Sequence, residues 1–117
     1  MQENSAPTGP IMRLFEVRTK PGRADELMRN FATTSAAVVL NKPGNRGYFF
    51  GQDASGDEDV VVFASIWADL KSVRDYFGDT WQSSYLPDGY EDLISECSVR
   101  HLDLSSGWHV DLDQPGS

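Results

Sequence analysis

The chain has 117 residues, 39% of them apolar, which is enough for one core and one domain. Its formal net charge is −8, with eighteen acidic residues and ten scattered basic ones. Phosphate recognition needs clustered Lys and Arg, so this balance weighs against nucleic acid and anionic membranes as partners.

Residues 1–10 are polar, carry no apolar leader core, and read as a flexible arm. The domain is expected over residues 11–104. A first strand spans residues 11–18, with Ile11, Phe15 and Val17 on one face and Met12 and Leu14 on the other. A strand apolar on both faces is covered on both sides. Lys20-Pro21-Gly22 breaks it. Ala24, Leu27, Met28, Phe31, Ser35 and Val38 then recur at helical spacing, with Asp25 and Glu26 complementing the dipole of the first turn. Asn41-Lys42-Pro43-Gly44 stops this helix. Tyr48, Phe49 and Phe50 mark a second strand over residues 47–51, and residues 52–59 form a polar hairpin loop. Val60–Trp67 is β-branched and aromatic, the most strand-like run in the chain. Asp69 caps a second helix starting at Leu70, with Val73, Tyr76 and Phe77 on one face and Gly78 at its end. Pro87-Asp88-Gly89 is a turn, residues 90–94 suit a short helix, and residues 97–104 form the last strand. A polar tail, residues 105–117, carries Trp108.

The resulting order, βαββαβ, is the α+β ferredoxin-like split βαβ unit with an antiparallel sheet. No stretch reaches the roughly 18 apolar residues of a membrane span. Cys97 is the only cysteine, so no intramolecular disulfide forms, and a cytoplasmic location is expected.

Three landmarks follow one another in order. Lys20-Pro21-Gly22 precedes a helix containing Asp25-Glu26-Leu27. Pro43-Gly44 precedes an aromatic strand with Gly47-Tyr48. A strand ends in Trp67, and an aromatic-bearing helix begins soon after. Over about residues 11–104 this pattern resembles the antibiotic biosynthesis monooxygenase family of the dimeric α+β barrel superfamily. The resemblance implies a homodimer whose two sheets close face to face, with a pocket between helices and sheet in each subunit. It also implies oxygenation of phenols or quinols with no cofactor, neither metal nor flavin. Haem-degrading relatives use an Asn on the first strand, and a Trp and a His in and after the second helix. Counting from Gly22 and Trp67, these positions fall on Phe15, Tyr76 and Leu86, none of which matches. Quinol-oxidising relatives often carry an Asn shortly before the strand-end Trp, where this chain reads Val62-Phe63-Ala64-Ser65.

Candidate site residues follow from their chemistry. The indole N–H of Trp67 needs a partner when buried, and could meet a phenolate oxygen or simply close the third strand. Trp67 and Tyr76 could border one cavity. Tyr48, Tyr76, Trp81 and Tyr85 could line an aromatic pocket for a planar ligand, or serve as core. His101 and Asp103 share a face of the last strand, as a general base with its carboxylate or as a surface pair. Arg46 could hold an anionic group bidentately, or lie in a solvated turn. Cys97 has no second Cys or His at metal spacing, so no metal site is expected. Asp53, Asp57, Glu58 and Asp59 do not follow calcium-loop spacing. Residues 44–51 lack the Lys-Ser/Thr ending of a phosphate-binding loop.

Three readings remain open: a cofactor-independent monooxygenase acting on a small aromatic substrate, a small-molecule binding module, and an accessory protein that binds another protein. A base beside a dry aromatic pocket selects the first and a pocket without a base the second. A filled core with an exposed apolar patch selects the third.

Overall fold

The computed structural model describes residues 8–111. The chain runs through β1 (Ile11–Thr19), α1 (Ala24–Asn30), a π-helical turn (Phe31–Ser35), α2 (Ala36–Val39), β2 (Asn45–Gln52), β3 (Val60–Trp67), α3 (Leu70–Phe77) and β4 (Ile94–Asp103). Short 3-10 turns lie at Gly78–Thr80 and Tyr90–Asp92. One antiparallel sheet is ordered β2-β3-β1-β4. The expected ferredoxin-like α+β architecture is therefore present. β1, read as apolar on both faces, and β3, the β-branched and aromatic run, are the two central strands.

Register decides what each face offers. Ile11 pairs with Trp67, Arg13 with Ser65, Phe15 with Phe63 and Val17 with Val61. Side chains alternate along a strand, so these odd-numbered residues all face the helices. Met12, Leu14, Val62 and Ile66 face the other way and are only half-buried. On the same helix-free face, Phe49 and Leu102 remain 44% and 41% exposed.

The first helical stretch buries Leu27, Phe31, Ser35 and Val39, each four residues from the last. An ideal α-helix turns every 3.6 residues, so positions four apart drift by about 40° per step. The wider π turn at Phe31–Ser35 absorbs that drift and keeps the stripe on the sheet. At its centre, the Phe31 ring meets Phe15, Phe50 and Phe63 edge-on at 6.2, 6.1 and 5.4 Å. Tyr90 clamps the same turn: its hydroxyl donates to the Asn30 carbonyl at 3.1 Å and lies 2.6 Å from Ser35 Oγ.

The boundaries of β3 and α3 agree with the sequence reading. β4 starts earlier than residue 97, because Thr19 pairs with Ile94 across a bulge at the end of β1. The expected short helix at residues 90–94 is one 3-10 turn. Leu104 N donates to Pro10 O, which ties the end of β4 to the entry of β1. The remainder of the expected arm and tail, residues 1–7 and 112–117, lies outside the described residues. Among the described residues no helix is long and apolar enough to cross a membrane.

Asp69 caps α3 as expected, its carboxylate accepting from Ser72 N and from Ser72 Oγ at 2.8 Å each. Asp69→Ala removes that cap and should cost about 1 kcal/mol. Chemical denaturation should show a lower midpoint with an unchanged slope.

Candidate functional site

One row of polar side chains crosses the whole sheet on its helix side: Tyr48 of β2, Ser65 of β3, Arg13 of β1 and His101 of β4. The next row toward the far end of β3 is Phe50, Phe63, Phe15 and Val99. The polar row thus adjoins an aromatic wall, and Arg13 lies in its middle.

Arg13 is 6% exposed. Its Nη1 donates to the Trp81 carbonyl and its Nη2 to the Ser83 carbonyl at 2.9 Å. The guanidinium carbon sits 3.9 Å from the centre of the Phe77 ring, a cation–π contact. Nη1 also lies 3.0 Å from His101 Nε2. Arginine has no acceptor, so His101 must accept at Nε2 and carry its proton on Nδ1. Burial, and then the adjacent Arg13 charge, push the His101 imidazole down to about 4. Desolvation likewise lowers Arg13 to about 10, which leaves it charged at neutral pH.

Between this row and the helices lies a small, partly open cavity of about 50 Å³, lined by Arg13, Phe15, Ser35, Phe63, Ser65 and Phe77, with Tyr85 and Pro87 also on its wall. The π turn delivers Ser35 to it. Ser65 Oγ accepts from the indole N–H of Trp67 at 2.9 Å. A wider, open groove of about 500 Å³ follows β4, where Trp81 and His101 meet edge-on at 4.9 Å. Among the described residues no three His, Cys, Asp or Glu side chains gather as a metal site requires.

The sequence profile of the antibiotic biosynthesis monooxygenase family matches residues 10–80. The chain belongs to that family. No curated protein matches it. Among solved structures, a Pseudomonas aeruginosa protein is 18% identical with a TM-score of 0.63, covering 85% of this chain and 97% of its own. A Bordetella bronchiseptica protein named for the same family is 14% identical with a TM-score of 0.63, covering 80% and 95%. A heme-degrading protein of Mycobacterium tuberculosis, solved heme-free, is 20% identical with a TM-score of 0.58, covering 92% and 97%. At these identities the likeness is one of fold.

Within the antibiotic biosynthesis monooxygenase fold, the candidate residues separate into groups. Trp67 is fully buried and faces the helices. Its ring stacks directly on Tyr76 at 5.6 Å, so the two rings fill the space between them rather than border a common cavity. The Tyr76 hydroxyl donates to the Val38 carbonyl. Tyr48 stacks on Phe63 at 5.6 Å within the aromatic wall. Of the candidates, only Tyr85 lines the cavity. Arg46 is the extra residue of a bulge between Asn45 and Gly47, exposed and away from the cavity. His101 and Asp103 share a face but do not bond; residues two apart on a strand are about 7 Å apart, and Asp103 turns to Ser105 instead. The partner of His101 is a cation. Of the three positions that the resemblance set against Asn, Trp and His, Phe15 packs on Phe31, Tyr76 on Trp67 and Leu86 on the core.

Arg13 did not figure among the candidates. Its signal was present: a charged residue on the same face of a strand as Ile11, Phe15 and Val17.

The low His101 value predicts a pH dependence. Between the ordinary imidazole value of 6.5 and about 4, the unfolded chain takes up a proton that the folded chain refuses. Stability therefore falls as pH drops through that window. Thermal midpoints measured across it should fall more for wild type than for His101→Gln, where carboxylate titration is the shared background.

Proposed function

We propose that this chain is a monooxygenase-like cytoplasmic protein that takes a small phenol or quinol into the cavity between helices and sheet. The observation supporting this reading is the make-up of that cavity, with ring walls from Phe15, Phe63 and Phe77 over a floor of Arg13 and Ser65. Its volume suits one or two waters, each claiming about 30 Å³. A ring enters when Tyr85 swings outward; Tyr85 is 55% exposed and lies in a segment with neither helix nor strand. In an apolar site an electron-rich substrate can reduce dioxygen itself. An anthrone-type methylene becoming a carbonyl gains one oxygen atom, loses two hydrogens and releases the second oxygen as water. The substrate then supplies all four electrons.

A second reading, a binding module without turnover, is favoured by the lack of a carboxylate or imidazole among the cavity's lining residues. Anthrone and hydroxylated naphthalenes separate the two. The enzyme reading expects one dioxygen consumed per carbonyl formed. Saturable quenching of Trp fluorescence without oxygen uptake establishes the binding module, and neither response overturns both.

The same reading includes a homodimer through the helix-free face. Met12, Leu14, Phe49, Val62, Ile66 and Leu102 share that face and are half-buried or exposed in the single chain. Sedimentation equilibrium at micromolar concentration should give about twice the 13.0 kDa chain mass, and Leu14→Asp should shift it toward one. A folded wild-type monomer overturns the dimer.

A further inference from the structure

We infer that Arg13 and Ser65 form an anion-binding point in this cavity, so that the ligand is held through a negatively charged oxygen, phenolate or carboxylate. The inference deepens the proposed function and rests on it only in using the same cavity.

The first argument is charge. A buried cation is ordinarily paired with a carboxylate. Every ion pair among the described residues is at least partly exposed, and none includes Arg13. The contacts of Arg13 are two carbonyls, a neutral imidazole and a phenyl face. They satisfy hydrogen bonds but contribute no negative charge. The second argument is donor count. A guanidinium has five N–H groups, and three are engaged. The bonds shown engage Nη1 and Nη2 but not Nε, which is not among the buried atoms left without a partner and so stays accessible to a guest. The third is convergence. Ser65 is the direct cross-strand neighbour of Arg13. Its oxygen accepts from Trp67, and its own proton has no acceptor among the described residues. The Trp67 N–H takes one of the two Ser65 Oγ lone pairs, and the hydroxyl proton remains available to donate. A guanidinium and a hydroxyl on neighbouring strands, both at the floor of one cavity, suit a single anionic oxygen. The titratable group within hydrogen-bond reach of the guanidinium is His101, whose imidazole is held neutral and supplies no negative charge.

The test uses the wild-type protein and three probes of one shape: 4-nitrophenol, its methyl ether 4-nitroanisole, and 4-nitrobenzoate. Charge-assisted hydrogen bonds are about twice as strong as neutral ones, so the phenolate and the benzoate should each bind at least about tenfold tighter than the ether. Bound nitrophenol should show the yellow phenolate band at a pH where free nitrophenol is mostly protonated. Arg13→Gln, with its fold checked by circular dichroism, should lose both effects, and Arg13→Lys should recover part of the affinity. Equal binding of ether and phenolate overturns the anion site while leaving an aromatic pocket. Binding of benzoate but not phenolate keeps the anion site and overturns the phenol reading. If none of the three binds, both are overturned. Because the wild-type comparison decides, a Gln variant that fails to fold does not remove the test.

Discussion

The burial of one guanidinium organises this molecule. Taking a charged side chain from water costs several kcal/mol unless its donors are met, and the sequence puts Arg13 on the face of β1 that packs under the helices. To meet those donors, the segment after α3 must turn its Trp81 and Ser83 carbonyls inward, Phe77 must lay its ring over the cation, and His101 must stay neutral. One side chain on a central strand thereby joins α3, the irregular segment that follows it, and the edge strand β4. That irregular segment has no strand or long helix of its own to fix its path.

Around this polar centre the rest of the layer is aromatic. Phe31 touches Phe15, Phe50 and Phe63, which come from three different strands. Pairs of this kind contribute beyond the area they bury, and edge-on geometry fixes how the helix lies on the sheet. The cavity is the seam between the two regimes. Carbon rings meet there a row of side chains that need hydrogen bonds, and the chemistry available to any guest is set by that boundary.

Much of the architecture was readable from alternation and breakers. Val60–Trp67 stood out by its β-branched composition, and Asp69 with Gly78 framed α3 through capping chemistry that needs only local residues. What local reading could not supply was neighbourhood. For His101 the sequence offered Asp103 as a companion or a place at the surface, whereas its partner lies 88 residues away on the neighbouring strand β1. For Arg46 the sequence left an anion contact and a solvated turn both open, and the register shift between Asn45 and Gly47 leaves it exposed, as the second reading has it. The path after Gly78 was hardest to read, since contacts with Arg13 and Tyr90 shape it more than its own propensities. The family resemblance supplied the layout and the expectation of a pocket, but nothing in it pointed to Arg13.

The π turn at Phe31–Ser35 carries a consequence for how this sequence can vary. A helix wedged between two fixed ends normally cannot gain or lose a residue without rotating everything downstream. Here the wide turn already contains the slack, and Tyr90 secures the carbonyl that such a turn leaves loose. A single-codon deletion within these five residues would convert the turn to ordinary α-helix and keep both helix ends in place. It would withdraw Ser35 from the cavity at the same time. Helix length and cavity polarity are therefore set by one locus.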